Sequence, residues 1–177
     1  MKEVRLSRSV FILGTITFVV LLVAVGLLAY KYFSGQSPSP QATQYATYAK
    51  EAIDALIAID YKISYVGLTQ SEYNAALNNC ADKISILVSK FPNEQLTKTA
   101  QTALEHLLLA RDVWNTYGDE IHWEKDVYRF QDAVERYHIS TKPADYGGKT
   151  LMVPFDLMQA AWNQAHIAIE QAKTEAP

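Results

Sequence analysis

The sequence predicts an all-α protein: a single N-terminal transmembrane helix followed by an antiparallel bundle of four or five helices. Three observations predict it. Residues Val10 to Tyr30 carry no charged side chain, and this apolar run of 21 residues matches the roughly 30 Å hydrocarbon layer of a bilayer. Beyond it, apolar residues recur at three- and four-residue steps in five separate segments. Short connections rich in Gly, Pro or Thr divide the segments, and no alternating strand pattern intervenes. The reading divides the chain into a cytoplasmic tip (1–9), a transmembrane helix (10–33), a linker (34–42) and an extracytoplasmic bundle (43–177).

Charge sets the orientation of the first element. Lys2, Arg5 and Arg8 precede the apolar run, whereas Lys31 stands alone after it until Lys50. The positive-inside tendency then keeps the N-terminus in the cytoplasm and exports the C-terminal domain, with Tyr30, Tyr32 and Phe33 at the outer interface. A cleaved signal peptide is the alternative. Its apolar core is normally about 7–15 residues and ends at a small-x-small site, whereas Leu27-Leu28-Ala29 begins with a bulky residue. No Cys stands directly after the run to serve as a lipid attachment site. Gly14 is followed four residues on by Phe18 and Gly26 by Tyr30, so no small-residue pair favours helix dimerisation in the bilayer.

Ser34 to Ala42 reads as a linker, partly stiffened by Pro38 and Pro40. The first soluble helix is expected over Thr43 to Val66, with Ala49, Ile53, Leu56, Ile59, Ile63 and Val66 on one face. Gly67 is placed to end it, and Thr69 with Glu72 forms a capping box for the next helix. That second helix, Gln70 to Phe91, carries Tyr73, Leu77, Cys80, Ile84, Leu87 and Phe91. Pro92 stops it, and Asn93 is the expected N-cap of a third helix bearing Leu96, Ala100, Ala103, Leu107, Ala110, Trp114 and Tyr117. Gly118 marks its end or a kink. A fourth helix is expected over Asp119 to His138, with Trp123, Val127, Phe130, Val134 and Tyr137 on its apolar stripe. The last starts near Pro154 and carries Met158, Trp162, Ala165, Ile169 and Ala172. Between them lies Ile139 to Val153, a connection long enough to suggest a contact surface; Lys142, Asp145, Tyr146 and Lys149 are its candidate interaction residues.

Several of these signals together resemble bacterial exported (periplasmic or lipoprotein-like) all-helical domains to which no activity is attached. The likeness rests on Gly67-Leu68-Thr69 followed by Tyr73, on Phe91-Pro92, on Ala110 to Trp114, and on Ala161-Trp162 with Ala165. It spans roughly Lys50 to Lys173. It implies a helical exported domain and carries no catalytic or binding residues.

Composition narrows the function further. After Lys31 the chain holds 12 basic and 18 acidic residues, which disfavours both nucleic acid and anionic headgroups as partners. Cys80 is the single cysteine, so the exported domain is held by packing alone, and its place on an apolar stripe reads as a buried small hydrophobe. Glu135 with His138 has the spacing of a di-iron motif. Its nearest companion, Asp119 with His122, lies on the same expected helix and cannot face it across a core. Asp119, His122 and Asp126 share a helical face and read as surface charge at a helix start. His106 and His166 read as partly buried, hydrogen-bonded histidines, and Trp114, Trp123 and Trp162 as core residues. No nucleophile elbow, phosphate loop, zinc-protease or haem-attachment motif occurs, and Gly147-Gly148 reads as a turn.

The expected protein is therefore a non-enzymatic, membrane-anchored helical bundle without cofactor or catalytic residues. It would bind a protein partner as an accessory, assembly or scaffolding component. A ligand-binding sensor bundle is the alternative, and a metal- or haem-binding bundle is a third reading.

Overall fold

The computed structural model describes residues 39–145 and 147–177. The expected transmembrane helix and its flanks lie outside the described residues. Among those that are described, no helix is long and apolar enough to cross a membrane.

Helix α1 runs Pro40–Tyr61, with proline in its first turn, where a missing N–H costs nothing. Ala49, Ala52, Ile53, Ala55, Leu56 and Ile59 form its buried face. The helix ends in a π-turn, Lys62–Val66, closed by the Gly67 N–H on the Lys62 carbonyl at 2.9 Å. Widening the last turn shifts the phase of the stripe. Val66, expected on the buried face, is consequently 64% exposed.

Helix α2 (Gln70–Lys90) starts at the expected capping box. The Thr69 hydroxyl accepts the Glu72 N–H at 3.3 Å, while the Glu72 carboxylate accepts the Thr69 N–H at 2.9 Å. Helix α3 (Gln95–Tyr117) is flanked by Glu94 in the N-cap position rather than Asn93, and Glu94 makes no side-chain cap. Pro92 and Asn93 lie in the turn before it. Gly118, at φ 53°, ends α3.

Neighbouring helices run in opposite directions. On α2, Cys80 reaches the Ala55 carbonyl at 3.1 Å while Lys83, further along, pairs with the earlier Glu51 at 2.7 Å. Gln70 likewise meets Asn115 of α3 at 2.8 Å while Tyr73, one turn on, bonds the earlier Leu107 carbonyl at 2.8 Å. The last helix, α5 (Pro154–Thr174), makes its most extensive contact with α3. The buried faces of both are alanine-rich, with Ala100, Ala103 and Ala110 on α3 and Ala161, Ala165, Ala168 and Ala172 on α5. Small side chains let two helix backbones approach closely, and α3 thereby becomes the central helix.

The segment between α3 and α5 departs from expectation. In place of one helix over Asp119 to His138 there is a 3-10 turn (Gly118–His122), a strand β1 (Lys125–Asp126), a second 3-10 turn (Tyr128–Phe130) and a short helix α4 (Gln131–Arg136). The expected loop contains two further strands, β2 (Lys142–Pro143) and β3 (Thr150–Met152). They complete an antiparallel sheet of order β1-β3-β2, in which Lys125 faces Met152 and Lys142 faces Leu151. Pro143 is tolerated because β2 is an edge strand.

The cause is local. The Asp126 carboxylate accepts the Tyr128 N–H at 3.0 Å, a turn that competes with helix and restarts the chain in a new direction. Val127, Phe130 and Val134 still reach the core, but Trp123, expected within it, is 70% exposed.

Candidate functional site

Two concave surfaces stand out among the described residues. The first is an apolar cavity of about 280 Å³ at the end of the bundle where α1 terminates and α2 and α5 begin. Ile63 and Leu68 come from the π-turn and the link that follows it, Trp114 from the last turn of α3, and Phe155, Met158 and Trp162 from α5. Tyr73 and Ile121 complete the wall, and the exposed His122 ring lies against Phe155 with centroids 4.6 Å apart.

A hydrogen-bond relay holds the aromatic wall. The Trp162 indole N–H donates to the Tyr73 hydroxyl at 3.2 Å, and that hydroxyl donates to the Leu107 carbonyl at 2.8 Å. Burial pushes the Tyr73 phenol well above its usual value, so it stays protonated and able to donate. Ring centroids of Tyr73, Trp114 and Trp162 lie 5.8 to 6.1 Å apart, and Phe155 lies 6.5 Å from Trp162. Rings this close touch one another and form a continuous wall. No carboxylate lines the cavity. Its chemistry suits an apolar or aromatic group.

The same terminal turn of α1 presents apolar surface outward. Tyr61, Tyr65 and Val66 are exposed, and the two tyrosine rings stack with centroids 5.3 Å apart.

The second surface is a polar cleft of about 640 Å³ between α3 and the Tyr128–Tyr137 segment. A further cleft of about 360 Å³, floored by α5, adjoins it at His106, Arg136 and Tyr137. His106 Nδ1 makes a short hydrogen bond with the Tyr137 hydroxyl. Desolvation lowers the His106 pKa, with the Arg136 charge acting in the same direction against the opposing influence of Glu105, so the imidazole favours its neutral form.

The residues singled out from sequence fall as follows. Lys142 pairs with Glu124 at 2.5 Å and Lys149 with Asp126 at 3.4 Å, so both charges tie the β2–β3 hairpin to the segment around β1. Asp145 is exposed at the hairpin turn, and Tyr146 lies outside the described residues. Asp119 and His122 lie in the 3-10 turn and Asp126 in β1, so the three do not share a helical face. His138 sits beyond the end of α4 at φ 54°. Among the described residues no group of three or more His, Cys, Asp or Glu is placed to hold a metal ion. Cys80 is fully buried, and burial pushes its thiol up to about 12. His166 bonds Asp60 at 3.0 Å across α5 and α1.

Sequence reasoning missed the joint role of Tyr73, Trp114, Phe155 and Trp162. Each aromatic lies on or beside an apolar stripe, and the stripe does not reveal which turns meet at one end of the bundle. Comparison with protein families, with curated proteins and with solved structures produced no match.

Proposed function

We propose that this chain is a non-enzymatic binding protein, anchored by Val10 to Tyr30 with its helical bundle outside the cytoplasm, which docks an apolar group of a protein partner in the aromatic-lined cavity. The carrying observation is the pairing of that cavity with the exposed Tyr61, Tyr65 and Val66 on the turn that helps form it. At about 280 Å³ the cavity is at the small end of ligand pockets, which run about 300–1,000 Å³, so it has room for one ring-sized group. A molecule that small would leave the outer tyrosines in water. A protein surface inserting one aromatic or aliphatic side chain would cover both, and buried aromatic anchors of this kind dominate interface energetics.

The acidic balance of the domain, the charge asymmetry around the apolar run and the resemblance to exported bacterial helical domains support the location. The role is then that of an accessory or scaffolding component held near the membrane surface.

Two experiments test the reading. A photo-crosslinking residue in place of Tyr65 should trap one reproducible protein from native membranes, and Leu68→Trp, which fills the cavity, should abolish the product. Recovery of no reproducible product overturns the proposal. Externally added protease should digest the C-terminal domain in intact spheroplasts; protection until the membrane is dissolved overturns the topology. A small-ligand sensor is the second reading, motivated by the cavity itself. Saturable thermal stabilisation by a small aromatic compound, lost in Leu68→Trp, would replace the partner with that ligand.

A further inference from the structure

The aromatic end carries both halves of a fit. Tyr65, 79% exposed, holds its ring outward on the turn Lys62–Val66. Ile63 within that turn, and Gly67 and Leu68 just after it, line the cavity. Tyr65 itself does not line it, so in one molecule a ring stands beside an opening of about 280 Å³ that has room for one ring. Tyr61 packs on the Tyr65 ring, centroids 5.3 Å apart, and restricts its position before anything binds.

Charge is divided across the opening in the same way. The turn carries Lys62 and no acid, and Asp60 just before it is bonded to His166. On the facing side, the Gly118–His122 turn and the first turn of α5 carry Asp119, Glu120 and Asp156, with no Lys or Arg. Glu120 pairs with Lys125, which leaves Asp119 and Asp156 as the exposed acids there. The projecting side is cationic and the receiving side anionic.

We propose that the group docked in the aromatic-lined cavity is Tyr65 of a second copy of this chain, each copy's Tyr65 entering the other's cavity about a two-fold axis that runs between them. The inference rests on the docking reading of that cavity. A two-fold contact uses the same patch on both molecules, so it needs a projection and a recess side by side on one face. The rotation lays each Lys62 against Asp119 and Asp156 of the other copy, so opposite charges meet twice. An anchor from a remote patch, such as the exposed Tyr128, would give a head-to-tail contact that never closes. A ring from an unrelated protein would fill the cavity, yet would leave unexplained the outward ring and the cation standing beside it.

The test mixes two tagged forms of the full chain in the same lipid vesicles. A donor form carries p-azidophenylalanine, a ring close to tyrosine in size, in place of Tyr65; the acceptor form is wild type. Illumination is expected to join donor to acceptor as a product of two chains, with the crosslink mapped to the acceptor's cavity. Leu68→Trp in the acceptor alone should lower that product about tenfold or more, while donor–donor product persists as the internal control. Lys62→Glu in the donor should lower it severalfold, and Asp119→Lys with Asp156→Lys in the acceptor should restore it. These three positions are exposed, so the charge exchange decides the matter even where Leu68→Trp fails to fold. The inference is overturned if no two-chain product forms, if the blocked acceptor reacts as well as wild type, if the charge exchange restores nothing, or if a ladder of longer species shows an open contact. A different protein trapped by position 65 in native membranes, with no two-chain product in vesicles, overturns the second copy and leaves the docking reading standing. No product in either setting overturns both.

Discussion

Thr69 and Glu72 satisfy donors that would otherwise be orphaned at the start of α2, so Thr69→Ala should cost about 1 kcal/mol in urea unfolding. The two hydrogen bonds from Thr69 hold the Glu72 carboxyl below its ordinary value. A carboxyl depressed in the folded state stabilises above its unfolded pKa, about 4.3, and loses that contribution as pH falls through the folded value. The urea midpoints of wild type and Glu72→Gln should therefore differ at pH 7 and converge in acid. His138 offers the opposite case. Its φ of 54° lies in the left-handed region, and the Ile139 N–H closes on the Val134 carbonyl at 3.0 Å, the helix-ending pattern in which glycine is usual. His138→Gly should stabilise the domain by about 1 kcal/mol, read as a higher urea midpoint. A midpoint that stays or falls would mean the imidazole makes a compensating contact.

Between elements, the Tyr73 hydroxyl is the atom that joins three helices. It accepts from Trp162 of α5 and donates to Leu107 of α3 while rooted in α2. Tyr73→Phe keeps the ring and strands the Trp162 N–H, so a loss of about 1–2 kcal/mol is expected, with a change in tryptophan emission. The helix ends were legible because their chemistry is local: Gly67, Thr69, Pro92 and Pro154 each act within a few residues of themselves. The Asp119–His138 segment was not. Its spacing of Val127, Phe130 and Val134 fits a helix face, and all three are indeed buried. What broke the helix was the pairing of Lys125 and Asp126 with residues some 25 positions later, at Leu151 and Met152. Strands of two or three residues are too short to show alternation, so no period-two signal existed to find.

At the scale of the domain, one core links α1, α2, α3 and α5 and takes in Met152 from the sheet. Leu107 is 1% exposed on the central helix. Leu107→Asp would bury a charge with no partner and should abolish cooperative thermal unfolding. An unchanged melting curve would mean that Leu107 does not face the core. Acid should weaken the whole domain through His106 as well as Glu72. A histidine whose pKa is lowered on folding resists protonation in the native state, so its contribution is present above the unfolded value of about 6.5 and declines as pH falls.

Local chemistry along the chain was enough for the helical class, the helix ends at Gly67, Thr69, Pro92 and Pro154, the burial of Cys80 and the capping box, because each depends on neighbours within a turn or two. Contacts between distant parts of the chain set the exposure of Trp123, the folding of the long connection into two strands of a small sheet, and the meeting of four aromatics at one end beside an outward-facing pair of tyrosines. Those outcomes depend on how remote turns are brought together in space. Apolar spacing records that a side chain is buried and carries no label for the side chain it will touch.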